Sequence, residues 1–497
     1  MTGITNAALV AIYTAAAVAL LLYGINCYVL LALFLRRQEA AARDRARVRE
    51  RVGDVAARAD APFVTTQIPI FNEVNVAERV IEAACRMHYA PGRHQVQVLD
   101  DSTDETRALV ERVVGRLRAQ GRDIEVVHRS DRMHFKAGAL ANGLRTARGE
   151  LIAILDADFV PPADFLQRAV PFFFARAEIG FVQCRWGHLN RERSPLTRAQ
   201  AMGIDGHFMV EQSARAWNGL VLNFNGTAGI WRRSAIAAAG GWQGDTLTED
   251  LDLSYRARLA GWQATYLPDV VVPAELPEDI NAFKSQQFRW AKGSMQTAIK
   301  LLPRLLASDL PIFTKVQAVL HLTHYAVHPL MLTLAVLSLP VLLALQATLP
   351  AGAFVALGVL LVAAMVAPNA MYVVSQRAAY PDWRRRVLWL PVLSAIGVGT
   401  AISNSRAVCE AVAARPSEFV RTPKRGERAG KDYRIRRPVV AIAEIAMGAY
   451  CAVALAVYIG SAKYLVGPFL AVYAIGFTGV GLLSLRHALA RSGDRAR

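Results

Sequence analysis

Leu151-Ile152-Ala153-Ile154-Leu155-Asp156-Ala157-Asp158 is a short apolar run that stops at two carboxylates one residue apart. A run of this length and composition reads as a strand buried on both faces, the kind found in parallel sheets. Carboxylates at its C-terminal end would lie in the crevice where open α/β sheets bind ligands. Asp156 and Asp158, at i and i+2 on a turn, can share one hard cation, because Mg2+ is held by one or two carboxylates plus substrate phosphates. A strand followed by a merely solvated acidic turn would look the same, so the rest of the chain has to decide.

Upstream the same grammar repeats. Residues 63–69 read as a strand and 76–88 as a helix. Residues 95–99 form a second strand that ends in Asp100-Asp101, with Ser102 and Thr103 placed to cap a helix over 105–117. A third strand, 124–128, precedes a helix over 136–147 that opens on Lys136. Strand alternating with helix predicts an α/β fold with a doubly wound, mostly parallel sheet. Two strands then end in acidic pairs on one edge of that sheet. Further on, Asn223-Phe224-Asn225-Gly226-Thr227-Ala228-Gly229 is small and Gly-rich, which lets a sugar or phosphate approach the backbone. Thr248-Glu249-Asp250 opens a helix that runs to 259, and acidic residues also suit a helix N-terminus for purely structural reasons.

The chain of 497 residues is 54% hydrophobic with a formal net charge of +17, too apolar for an ordinary soluble enzyme and too charged in its middle for a pure transporter. Its Arg clusters flank long apolar runs, which points to a lipid bilayer as the partner of the basic charge and away from nucleic acid. Five scattered Cys without a C-x-x-C pair give neither a disulfide framework nor a zinc site, so the soluble part is expected in the cytosol. Residues 1–36 read as an N-terminal transmembrane anchor that is not cleaved, and 37–61 as a basic cytosolic linker helix. Residues 62–275 form the α/β domain. Residues 276–305 form an amphipathic interfacial helix with Gln286, Arg289 and Trp290 on it. Arg offers a planar fork for phosphate, and Trp a flat face for a sugar ring.

Spanning runs follow at about 316–346 and 351–375, then at 438–459 and 463–486 within the segment 438–487, with a basic tail over 488–497. The apolar stretch 387–412 lies between two Arg-rich flanks that both favour the cytoplasm, so it is expected to lie in the interface or re-enter, within a cytosolic segment 376–437. His321, His324 and His328 share a helical face on the 316–346 run, where packing or a polar path is favoured over metal ligation.

At this point the residues resemble a known family. Asp100-Asp101, Asp156-Ala157-Asp158, Thr248-Glu249-Asp250 and QQFRW at 286–290 match, in order, the D, D-x-D, T-E-D and Q-x-x-R-W signature of processive family 2 glycosyltransferases. QIPIFNE (67–73), QVLDDSTDET (97–106), FKAGAL (135–140), QCRW (183–186), FNGTAGIWR (224–232), GGW (240–242) and ELPE (275–278) resemble the plant cellulose-synthase-like mannan and glucan synthases more closely still. FVRTPK (419–424) is similar to the gating-loop motif F-x-V-T-x-K, with Arg421 where the family has Val.

The resemblance implies a GT-A catalytic domain, a nucleotide-sugar donor (UDP-glucose or GDP-mannose), Mg2+ or Mn2+, and inverting transfer to a growing β-linked glycan, a β-1,4-glucan or mannan, with secretion of the product. It implies that Asp156 and Asp158 hold the metal, that Asp100 and Asp101 contact the nucleoside, and that Lys136, Gln286 and Arg289 serve the diphosphate. Asp250 would be the general base. Trp290, Phe224, Gly226, Thr227, Glu249 and Trp186 would face the acceptor, and Phe419, Thr422 and Lys424 would form the gating loop. The implied setting is a bacterial inner membrane with the catalytic domain in the cytosol, open to accessory envelope proteins. Two alternatives remain: a non-processive enzyme that moves one sugar to a lipid, and a transporter with a nucleotide-sensing cytosolic domain.

Overall fold

The computed structural model describes residues 3–345, 351–416, 439–462 and 464–493. The apolar run that opened the sequence is strand β4 (Leu151–Ile154), with all four residues buried. Around it lie β1 (Val64–Ile70), β2 (His94–Asp100), β3 (Ile124–His128), β5 (Ile179–His188), β6 (Gly229–Arg232) and β7 (Gln263–Ala274). They form one seven-stranded sheet in the order β3-β2-β1-β4-β6-β5-β7. The pairs β1/β2, β1/β4, β2/β3 and β5/β7 are parallel, and β6 runs antiparallel between β4 and β5. The first half is therefore the doubly wound unit read from the sequence, with its switch point between β1 and β4.

Buried polar side chains pin the register of that half. Thr65 donates to Gln95 at 2.8 Å, Gln67 to Gln97 at 3.0 Å, and Gln97 to Glu125 at 2.9 Å, so β1, β2 and β3 are tied rung by rung. A slip of one residue would leave these buried groups unpaired, which costs about 1–3 kcal/mol each. Apolar clusters cover both faces of the sheet, one under α2 (Ala77–Cys85) and α3 (Thr106–Ala119), the other under α4 (Phe135–Gly143).

Some boundaries depart from the sequence reading. The anchor and the linker are a single helix, α1 (Gly3–Val52). No Gly or Pro breaks the run between Gly24 and Gly53, and Arg45 and Arg49 pair with Asp269 on β7 at 3.2 and 2.6 Å, which holds the C-terminal part against the sheet edge. Ser102 and Thr103 do not cap α3. Ser102 Oγ accepts the Asn72 N–H at 2.9 Å, and the Thr103 N–H donates to Asn72 Oδ1 at 2.8 Å, so both bridge to the loop after β1.

The expected 316–346 span is broken into a helix (Ile312–Leu322), a 3-10 turn (His324–Ala326) and a second helix (Val327–Leu345). Thr323 ends the first part: its hydroxyl donates to Val319 O at 2.7 Å, and its carbonyl accepts from Tyr23 on α1. Pro329, which has no N–H to give, falls in the first turn of the second part, where it is tolerated. The break leaves the His321 and His324 rings stacked at 6.3 Å, but gives the three His different polar partners. His321 meets Tyr255 at 2.8 Å, His324 the His321 carbonyl at 2.7 Å, and His328 Asn404 at 3.0 Å.

Among the described residues, four helices are long and apolar enough to cross a membrane, within 6–57, His324–Leu343, Val440–Gly460 and Gly467–Leu489. The expected 351–375 run is a helix over Ala351–Ala379 that packs by Met371 against Leu30 and Phe34 of α1. The 387–412 stretch is not one straight rod: the segments 383–399 and 401–412 meet at 43°, the shape of a broken span or a re-entrant loop. The gating-type residues Phe419, Thr422 and Lys424 lie outside the described residues.

Candidate active site

The strand ends place the acidic residues around one cleft. Its walls include Asp101, Lys136, Asp156, Asp158, Gly226, Glu249, Asp250, Gln286, Arg289, Trp186 and Trp290. They come from β2, α4, β4, the loop before β6, the helix Glu249–Leu259, the helix Ile280–Leu306 and β5. Residues nearly 200 positions apart thus converge at the C-terminal edge of β1, β2 and β4.

Lys136 bridges the two halves of the cleft. Its ammonium lies 2.5 Å from Asp156 Oδ1 and donates to the Gly226 carbonyl at 2.8 Å. Burial pushes its pKa down, but Asp156, Glu249 and Asp250 outweigh that and raise it, so the charge is secure. An unusual turn aims it. His134 and Phe135 both have positive φ, at 61° and 47°, which is sterically costly for residues with a Cβ. Arg129 holds that turn by donating to Met133 O at 2.9 Å and Phe135 O at 2.8 Å. The same guanidinium grips both oxygens of Asp101, at 2.8 and 2.6 Å. The carboxylate at the end of β2 therefore fixes the start of α4.

Asp250 sits in the first turn of its helix, and its Oδ1 accepts the Leu251 N–H at 2.8 Å. That is a capping contact, yet the other oxygen faces the cleft: a Cβ on Gly226 would lie 3.1 Å from Oδ2. Burial, and then the neighbouring Glu249 carboxylate, push the Asp250 pKa up to about 7, with Lys136 pulling the other way. Burial likewise raises the Glu249 pKa. Two carboxyl groups this close titrate as a pair, with one of them poised to take a proton near neutral pH. Burial lowers the Arg289 pKa to about 10, which leaves it cationic at neutral pH.

The helix Ile280–Leu306 reaches the cleft because Gly293 lets it approach Thr248 closely; a Cβ there would lie 2.5 Å from the Thr248 methyl carbon and 2.9 Å from the Thr248 nitrogen. It is also tied to the apolar helices, through Lys284 to Glu444 at 2.5 Å and Lys292 to Glu410 at 3.1 Å. Trp290 lies 6.4 Å from Trp186, centroid to centroid, and Trp186 is backed by Phe159 and Phe208 at 5.1 Å each.

The family described as glycosyltransferase like family 2 matches residues 61–293. A probable glucomannan 4-beta-mannosyltransferase 7 from Oryza sativa subsp. japonica is 44% identical over 263 residues, 52% of this chain and 45% of that protein. Glucomannan 4-beta-mannosyltransferase 2 from Arabidopsis thaliana is 42% identical over 258 residues, 51% of this chain and 48% of that protein. The chain spans less than half the length of these curated relatives. A solved mannosyltransferase, PcManGT from Pyrobaculum calidifontis in complex with GDP-Man and Mn2+, superposes with a TM-score of 0.49 at 21% identity, covering 78% of this chain and 99% of that one.

The α/β domain does not bring every expected residue to the cleft. Phe224 is fully buried, with its ring against Phe181 and Trp231 at 5.8 and 5.5 Å, because the backbone turns it into the core beneath the loop. Thr227 is buried too, and its hydroxyl accepts the Asp156 N–H at 2.8 Å, so it supports the end of β4. Asp100 is buried as well and accepts the Ser102 N–H at 3.0 Å. The cleft includes residues that the sequence reading did not single out: Asn225, Phe71, and Arg132, whose guanidinium lies 3.4 Å from the Phe71 ring centroid. Asn225 stood in the quoted Gly-rich segment. Arg132 carried no local signal, since its stacking depends on the positive-φ turn.

Proposed function

We propose that the protein is a membrane-embedded inverting glycosyltransferase that moves a sugar from a nucleotide-diphospho-sugar to a growing β-1,4-linked glycan. The observation that carries the reading is one cleft holding Lys136, Arg289 and Asp156 together with Asp250, a carboxylate whose proton affinity lies near neutrality. An acceptor hydroxyl oxygen bonds to the anomeric carbon as the bond from that carbon to the diphosphate breaks. The hydroxyl proton passes to Asp250, and the electron pair leaves with the nucleoside diphosphate, whose new charge faces Lys136 and Arg289. A single displacement of this kind turns an α-linked donor into a β-linked product.

Asp156 and Asp158 offer hard carboxylate oxygens, and among the described residues no group of three or more His, Cys, Asp or Glu is arranged to hold a metal ion by itself. That donor set fits Mg2+ or Mn2+, ions that complete their shell with water and substrate phosphate, better than a closed protein cage. Bound there, such an ion would supply charge neutralisation at the diphosphate. Two curated relatives bear mannosyltransferase names, which favours GDP-mannose over UDP-glucose as donor.

Arg289 and Trp290 sit on the helix that Lys284 and Lys292 tie to the apolar helices, which supports an acceptor end of the cleft facing the membrane. On this basis the enzyme is processive and passes its product across the bilayer. The Arg-rich segments after residue 36 and at 377–386 favour the cytosolic face of a bacterial inner membrane for the catalytic domain. The test is incubation of purified protein with labelled GDP-mannose and UDP-glucose, followed by linkage analysis. A β-1,4 polymer from one donor supports the reading; consumption of neither donor contradicts it.

A further inference from the structure

Asn225 reaches the cleft beside Gly226 and Asp250 at the end of a hydrogen-bond chain whose donors and acceptors can be ordered unambiguously. The chain starts at a backbone carbonyl, which can only accept. Asn223 O takes the Gln212 Nε2 donor at 2.9 Å, so the Gln212 amide cannot be turned round. The same Nε2 donates to Asn225 Oδ1, which places the Asn225 NH2 group opposite His207 Nε2, at 3.0 Å. Two donors cannot face each other, so His207 Nε2 is bare and the ring proton is on Nδ1. That proton meets Glu211 Oε2 at 2.9 Å, and Arg215 donates to the other Glu211 oxygen at 3.0 Å.

The backbone that carries this chain is itself unusual. His207 and Glu211 lie on a π-helical stretch, Gly206–Gln212, a geometry that is rare and concentrated at functional sites. Glu211 also lies within electrostatic reach of Cys27, His324, Tyr325 and Tyr372. His321 approaches its Oε1 at 3.9 Å from the helix Ile312–Leu322, and His321 also meets Tyr255, five residues beyond Asp250, at 2.8 Å. The Asn225 N–H is fixed by Gln183 at 2.9 Å. One Asn225 amide hydrogen is used on His207, and among the described residues the side-chain nitrogen has no second protein hydrogen bond.

We propose that His207, held as its Nδ1–H tautomer by Glu211, is a positioning residue that orients Asn225 to donate to a hydroxyl oxygen of the sugar lying against Asp250. The inference rests on the glycosyltransferase reading and adds a specificity element to the same site. It requires an acceptor atom at Nε2 and nothing else of the imidazole. His207→Gln can place its Oε1 where Nε2 was, whereas His207→Asn mimics only the Nδ1 side.

The experiment compares the full-length wild-type enzyme, H207Q, H207N and N225A for donor KM, kcat and thermal stability. The expected result is that H207N and N225A lose roughly 10-fold in kcat, about one hydrogen bond's worth, with the donor KM unchanged. H207Q recovers to within about threefold of wild type. Equal losses in H207Q and H207N that follow their loss of stability would overturn the proposal. A second measurement does not depend on turnover: nitrogen NMR of histidine-labelled protein in lipid, with H207Q as the difference spectrum. A bare Nε2 and a protonated Nδ1 support the assignment, and a protonated Nε2 refutes it. Absence of transfer by the wild type from any nucleotide sugar would instead count against the glycosyltransferase reading, while the tautomer would still be decided by NMR.

Discussion

Glu249→Gln gives a pH signature that follows from the electrostatics of the cleft. Asp250 is raised from an ordinary 3.8 to about 7, first by burial and second by the Glu249 carboxylate beside it. The substitution removes the second cause and leaves the first. A like charge in a partly desolvated site is worth about one pKa unit or more, so the base should titrate near pH 6 in the variant. The sign is fixed by the role. A general base works only when ionised, and kcat/KM reports the ionisation of the free enzyme. At pH 6 about a tenth of the wild-type base would be ionised, against about half in the variant. Expressed relative to its own high-pH plateau, E249Q activity at pH 6 should thus be roughly fivefold higher than wild type. The assay is release of nucleoside diphosphate from the donor across pH 5 to 9. The plateau height does not enter, which matters because Glu249 also lines the cleft. An acid limb that stays in place, or moves to higher pH, would refute the reasoning.

Other outcomes follow from the same geometry. Gly226→Ala puts a methyl group 3.1 Å from Asp250 Oδ2 and 3.3 Å from the Lys136 ammonium, on a backbone with φ of +77°. The left-handed backbone alone should cost about 1–2 kcal/mol, and displacement of the base by a few tenths of an ångström should lower kcat roughly 10-fold, read by thermal unfolding and by turnover. Glu444→Ala leaves the Lys284 ammonium, only 8% exposed, without its 2.5 Å partner. The expected destabilisation is about 3 kcal/mol, and the double variant K284M/E444L should recover most of it; unfolding in detergent checks both.

The part of the fold that forms the strand-end wall of the cleft is legible because its signals are local. β4 is a run of apolar residues stopped by Asp, and β3 was placed with its observed limits, 124–128. The two acidic strand ends followed from topology, since parallel neighbours share a C-terminal edge. What escaped the sequence depends on contacts between distant segments. The turn at His134 and Phe135 is held by Arg129 through carbonyl groups, and residues with a Cβ are poor advertisements of positive φ. The family resemblance implies Phe224 as a cleft residue, but it is buried in the core while Asn225 lines the cleft. The break at Thr323 was hidden inside an apolar run because hydropathy averages over a hydroxyl that competes for a carbonyl. Asn225 and His207 are 18 residues apart and meet across two segments, a π-helical stretch and the loop before β6.

The account stands most directly on Asp250 as the group that takes the acceptor proton. Asp250→Asn keeps the shape of the side chain and removes its basicity. Equilibrium binding of the nucleotide-sugar donor, measured beside transfer on the same preparation, separates the two functions of the cleft. The account predicts donor affinity within about threefold of wild type and transfer reduced by at least about 100-fold, the scale of general-base catalysis. Transfer at the wild-type rate by the variant would contradict it.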